Sequence, residues 1–198
     1  MVDIGVAILA GGEATRLPNK LALACGNVPM LVRVYRNVSP GHTTYISTRG
    51  SVPPELDAML ECPMVVDRYE RRGPLCGLLS TMEEMKTPLV FAVAGDAPFV
   101  DCAFIDWLAS AWQSGDEAVI PVHERDGRRQ LEPLAALYNR MAFLREGEKT
   151  LNAGDGSMHD VISRLRARYV HVPDERAGIF ANVNTPADYA AASVAWMG

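Results

Sequence analysis

A chain of 198 residues with 48% hydrophobic and 22% charged side chains can bury one substantial core, and its length suits one domain spanning residues 1–198. That composition excludes a disordered, collagen-like or coiled-coil polypeptide. A net charge of −5 excludes a chain-wide basic field for nucleic acid or anionic lipid, so any phosphate ligand has to be met by a few local cations.

The first predicted element is the apolar run Val6-Ala7-Ile8-Leu9-Ala10, which reads as a strand buried on both faces and stops at Gly11-Gly12. The opening stretch contains Asp3, lacks a basic leader region and is too short for a signal peptide or a membrane span, so a cytoplasmic location and no membrane partner are expected. Four dispersed cysteines, Cys25, Cys62, Cys76 and Cys102, form no C-x-x-C pair and fit a reducing compartment. Residues 29–38 read as a helix with Met30, Val34 and Val38 on one face and Pro29 as its first residue. Residues 45–48 then read as a strand, 54–60 as a short helix and 64–66 as a third strand ending at Asp67.

Residues 74–86 read as a helix with Leu75, Leu78, Leu79 and Met82 inward, and Leu89 to Ala94 as the central, fully apolar strand. An amphipathic helix over 103–114 and a strand over 118–121 follow. Residues 130–138 read as a strand interrupted by Pro133, which suggests a sheet edge or a bulge. Helices at about 140–146, 158–168 and 186–195 and a short strand at 169–172 complete the chain. The alternation predicts a single-domain, doubly wound, Rossmann-like α/β fold with a mostly parallel sheet, whose ligands sit beyond the carboxyl ends of the strands.

Chemistry concentrates in the predicted strand ends. Leu9 to Lys20 (LAGGEATRLPNK) offers glycines that let backbone N–H groups approach anionic oxygens, with Arg16 and Lys20 as countercharges. The segment fits neither the G-x-G-x-x-G dinucleotide fingerprint nor a mononucleotide loop, which needs Gly-Lys-Ser/Thr where this chain has Asn19-Lys20-Leu21. Asp96, in Ala94-Gly95-Asp96-Ala97-Pro98, is a hard-oxygen candidate for Mg²⁺ at the end of the central strand. Thr185-Pro186 reads as a helix cap and first turn, while Asn182 and Asn184 present two amides on one side of an extended segment for ligand contact. His42, His123, His159 and His171 lack ligand spacing, and Ser80 and Ser157 lack an elbow-type glycine frame, so no hydrolytic triad is supported.

In order, LAGG-x-x-x-R-x-x-x-K, GPLCGL, AGDAPFV and NVNTPADY resemble the molybdenum cofactor guanylyltransferases, the MobA family of the nucleotidyltransferase superfamily. The resemblance implies Mg²⁺-dependent transfer of GMP from GTP to the terminal phosphate of molybdopterin. It implies nucleotide contacts at Leu9, Ala10, Gly11, Gly12, Thr48, Asp67, Gly73, Pro74 and Leu75, catalytic roles for Arg16, Lys20 and Asp96, and the metal on Asp96. Lys149 stands near a family arginine associated with the pterin. Cofactor-donating and cofactor-accepting proteins are the implied transient partners. A phosphate monoester nucleophile is already anionic near neutral pH, so such a reaction needs no strong base. Two alternatives remain at this level: transfer from another nucleotide or to another phosphorylated acceptor such as a sugar phosphate, and a nucleotide-binding module without catalysis.

Overall fold

The computed structural model describes residues 3–11, 17, 19–50, 52–69, 73–125, 127–154 and 156–196. In chain order these form β1 (Ile4–Leu9), the hairpin strands β2 (Ala24–Cys25) and β3 (Val28–Pro29), α1 (Met30–Val38), β4 (Thr43–Thr48), α2 (Pro54–Asp57), β5 (Met64–Val66), α3 (Pro74–Glu84), β6 (Leu89–Ala94) and α4 (Cys102–Ser110). The second half adds β7 (Ala118–Arg125), β8 (Arg128–Leu131), β9 (Ala135–Asn139), α5 (Arg140–Asn152), α6 (Met158–Arg164), β10 (Ala167–His171), a 3-10 stretch (Asp174–Phe180) and α7 (Pro186–Trp196).

Seven strands lie in the order β10-β7-β9-β6-β1-β4-β5, and β8 adds to β7 as a hairpin partner. β5, β4, β1 and β6 run parallel, as do β7 and β10, whereas β9 runs antiparallel between β6 and β7. The chain leaves β1 toward β4 and β5 and then returns to its other flank as β6. The order therefore reverses between β1 and β6, and a crevice opens beyond the carboxyl ends of those two strands.

All six residues of β6 are buried because helices cover both sheet faces. Phe91 and Val93 meet Val6, Ile8 and side chains of α1 and α4 on one face; Val90 and Ala92 meet Ala7 and side chains of α3, α5 and α6 on the other. Burial of each large apolar side chain here is worth about 1.5–3 kcal/mol. Leu75, Leu78, Leu79 and Met82 are all buried inward on α3, as their spacing predicts.

Several predicted boundaries need correction. Pro29 precedes α1 as its cap, with ψ 150 in the extended region, and pairs with Ala24 in the small hairpin instead of starting the helix. Residues 130–138 are not an edge strand: Pro133 lies in a turn between β8 and β9, and β9 is an interior strand paired on both sides. The helix at 103 ends at Ser110, where Ala111 and Trp112 close tighter three-residue turns and Asp116 then takes the Gln113 N–H at 2.9 Å. That at 54 ends at Asp57, where Met59 and Leu60 close tighter three-residue turns. α5 continues to Asn152 through Gly147, whose missing side chain admits Leu79 of α3: a Cβ there would lie 2.7 Å from Leu79 Cδ2. α6 stops at Arg164, since Arg166 exchanges backbone and carboxylate bonds with Glu117 at the start of β7.

Candidate active site

A cleft of about 380 Å³ occupies the crevice at the β1–β6 reversal. Its floor and walls include Leu9 at the end of β1 and Gly11 beyond it, Ser47 and Arg49 at the end of β4, Asp67 after β5, the first turn of α3, and Asp96 after β6. Two backbone bonds lock these strand ends together: Gly95 N–H donates to Leu9 O at 2.9 Å and Ala10 N–H to Ser47 O at 2.8 Å. At Gly95 a Cβ would lie 3.1 Å from Leu9 O, so glycine suits the close approach of the chain to the end of β1.

Lys20 opens a 3-10 turn (Lys20–Ala22) behind Asn19, which holds the left-handed φ of 55°. Asparagine tolerates that conformation better than most side chains. The turn carries the Lys20 ammonium onto Oδ2 of Asp96, and the same nitrogen donates to Oδ1 of Asn184 at 2.9 Å. Asp96 is in turn anchored through its backbone, its carbonyl accepting the Val183 N–H at 3.0 Å. Three distant segments therefore converge on one ammonium group.

On the opposite wall Asp67 accepts the Tyr69 N–H at 3.1 Å, the Ser80 hydroxyl at 3.2 Å and the Arg49 guanidinium at 3.2 Å. Gly73 caps α3 with φ 140°, a conformation that favours glycine, and Pro74 follows as the first helical residue. Gly77 keeps α3 against β4, since a Cβ there would lie 2.6 Å from Ser47 Oγ. Gly73, Pro74 and Gly77 at the first turn of α3 form one wall of the cleft.

A second groove, of about 700 Å³, lies beyond Asn184. It is lined by Phe99, Arg125, Glu132, Phe180, Asn182, Asn184 and the start of α7. Thr185 caps α7 by accepting the Asp188 N–H at 3.1 Å, and Asp188 returns a bond to the Thr185 N–H at 2.8 Å. This reciprocal cap fixes the strand-like segment that carries both asparagines.

Residues 6–172 match the MobA-like NTP transferase domain. The chain belongs to that family. It is thus a nucleotidyltransferase, and it is 30% identical over 196 residues to the molybdenum cofactor guanylyltransferase of Cupriavidus metallidurans, covering 92% of this chain and 91% of that protein. A probable molybdenum cofactor guanylyltransferase of Carboxydothermus hydrogenoformans is 26% identical over 96% of this chain and 94% of its own length. Among solved structures, molybdopterin-guanine dinucleotide biosynthesis protein A of Archaeoglobus fulgidus superposes with a TM-score of 0.80 at 25% identity, covering 96% of this chain and 97% of that one. A 4-diphosphocytidyl-2C-methyl-D-erythritol synthase of Anaerococcus prevotii, at TM-score 0.78 and 13% identity with 100% and 99% coverage, shares the fold.

For this MobA-like chain, the first cleft gathers Leu9, Gly11, Lys20, Asp67, Gly73, Pro74 and Asp96. Gly12 and Arg16 lie outside the described residues. Three predicted nucleotide contacts do not line the cleft. Ala10 spends its N–H on Ser47, Thr48 is buried with its carbonyl on the Asp67 N–H, and Leu75 belongs to the core beneath α3. Lys149 lines neither the cleft nor the second groove; it is 59% exposed on α5 and pairs with Glu146 at 3.0 Å. Arg49, Ser47 and Leu134 were missed. For Arg49 and Ser47 the usable signal was position, at the carboxyl end of a strand beside the reversal. Leu134 had none, because it enters with the reversed strand β9.

Proposed function

We propose that the protein transfers GMP from GTP to the terminal phosphate of molybdopterin and releases pyrophosphate. The observation that carries this reading is the Lys20 ammonium, which contacts Asp96 in the first cleft and Asn184 in the second groove and so stands where two substrates would meet. The curated relatives named as molybdenum cofactor guanylyltransferases support GTP and molybdopterin as the pair.

GTP would lie in the first cleft, its triphosphate toward Gly11 and Lys20. The acceptor would place its phosphate past Asn184, with Asn182 beside it. An oxygen of that phosphate attacks the α-phosphorus, a new P–O bond forms, and the bond to the β-phosphate's bridging oxygen breaks with departure of pyrophosphate. Positioning and charge neutralisation carry such a step. Lys20 neutralises charge near the centre of the reaction, and Asp67 with the first turn of α3 orients the nucleoside.

Mg²⁺ fits the residues present. Asp96 is buried, lines the cleft and commits only one carboxylate oxygen to a hydrogen bond, leaving Oδ1 for a cation. Among the described residues no group of three or more His, Cys, Asp or Glu forms a metal cage, which suits an ion that takes one or two carboxylates and fills its remaining positions with water and phosphate oxygens. When bound, Mg²⁺ would offset charge on the phosphates.

A thermal-shift panel of GTP, CTP, ATP and UTP with Mg²⁺ tests the nucleotide, and pyrophosphate release with molybdopterin tests the acceptor. Ligand at a hundred times its Kd adds about 2.7 kcal/mol, worth roughly 5–10 °C in a chain of this size. A GTP-selective shift followed by pyrophosphate release is expected. A CTP- or UTP-selective shift would redirect the reading to another nucleotide, and binding without turnover would redirect it to a non-catalytic module.

A further inference from the structure

The second groove holds a buried pair that the reaction outlined above does not use. His123, on β7, has a side chain only 5% exposed, and its Nε2 lies 2.8 Å from Oε1 of Glu132. The Phe180 ring stacks on the imidazole with centroids 5.0 Å apart and planes inclined by 27°. A carboxylate can only accept here, so Nε2 carries the proton. Nδ1 is buried and finds no hydrogen-bond partner among the described residues, a cost in stability that the pair sustains. What the pair achieves is a carboxylate with a fixed direction. Glu132 lines the groove at 24% side-chain exposure, and its Oε2 makes no hydrogen bond among the described residues.

A rigid carboxylate with one oxygen uncommitted suits two parallel N–H donors on a planar ring, since each oxygen retains a lone pair for the second bond. The groove supplies the remaining needs of such a ring: the aromatic side chains of Phe99 and Phe180, and the Asn182 and Asn184 amides toward the Lys20 end. A 2-amino-4-oxopteridine presents N3–H and the 2-amino group side by side. We propose that Glu132, oriented by His123, reads this donor edge of the acceptor's pterin ring. The proposal rests on the molybdopterin reading above and adds its specificity determinant. Glu132 touches the acceptor; His123 is a positioning residue.

Fluorescence titration of the full chain, held in saturating GTP so that the first cleft is filled, tests it with 6-methylpterin and 6-methyllumazine, which carries an oxo group in place of the 2-amino group. Wild type is expected to prefer the pterin at least tenfold. Glu132→Gln, which replaces one acceptor oxygen by a donor, is expected to lose about tenfold for the pterin and most of the preference, with the GTP-induced Tm shift unchanged. Wild-type preference in Glu132→Gln would overturn the role of Glu132 and leave the acceptor reading standing. Failure of wild type to bind either pteridine, with the GTP shift intact, would overturn both. Should Glu132→Gln not fold, Glu132→Asp decides: a several-fold loss supports the assignment and unchanged affinity removes it. For His123, the glutamine variant keeps an N–H toward Glu132 and is expected to hold affinity within threefold while His123→Ala loses about tenfold and raises acceptor KM more than it lowers kcat. Equal losses in the two would reduce His123 to packing.

Discussion

Lys20 is bound on both sides by oxygen acceptors, and its removal leaves the buried Asp96 carboxylate without its countercharge. Lys20→Ala is therefore expected to abolish most of the GTP-induced thermal shift and to lower kcat/KM by roughly 10²–10³-fold, the scale of losing one preorganised charge partner. Asp96→Asn keeps the shape and still accepts from Lys20, so it should retain the unliganded Tm within a few degrees while losing Mg²⁺-dependent turnover; full turnover would remove Asp96 from the metal site. Both residues were legible in the sequence because each follows an apolar strand or a glycine loop at a fixed distance. Arg49 was not, since a polar residue after Thr48 reads as an ordinary loop arginine until Asp67 is seen 3.2 Å away. Glu132 and His123 were equally silent: they are nine positions apart, and only the β7–β8 hairpin brings them together.

At the scale of elements, the α3–β4 contact is as close as a glycine allows. Gly77→Ala has to displace the Ser47 hydroxyl or tilt the first turn of α3, and since both line the cleft the expected result is weaker GTP binding together with about 1–3 kcal/mol of lost stability in chemical denaturation. The β7–β10 edge has a different dependence. Glu117 is held below its ordinary value of about 4.5 by the Arg166 backbone N–H and then by the Arg145 guanidinium. A lowered carboxylate stabilises the fold at pH values above about 4.5, and that contribution fades as pH falls through the lower folded value. Glu117→Gln is thus expected to cost about 1–3 kcal/mol at pH 7 and progressively less as pH falls below about 4.5, read from denaturation curves across that range. The parallel strands were readable because burial on two faces demands uninterrupted apolar runs, as in β1 and β6. β9 was not: the continuous buried run along residues 135–138 reports burial and carries no information on strand direction, and Pro133 suggested an edge where it marks a turn.

For the whole molecule, topology explains why the cleft and the groove share one lysine. Parallel strands deliver their carboxyl ends to the crevice, while β9 runs the other way and delivers residues just before its start, so Leu134 lines the cleft and Glu132 the groove. No described helix is long and apolar enough to cross a membrane. The reversed strand also sets an order of events during synthesis. β6 is the most thoroughly apolar strand, and one of its edges is paired by β9, which follows α4, β7 and β8 in the chain. A nascent polypeptide halted before residue 135 therefore carries its stickiest backbone edge unpaired, open to another chain in the same predicament. How well the protein survives its own production depends on how quickly that stretch leaves the ribosome, a vulnerability that the equilibrium stability of the finished fold does not measure.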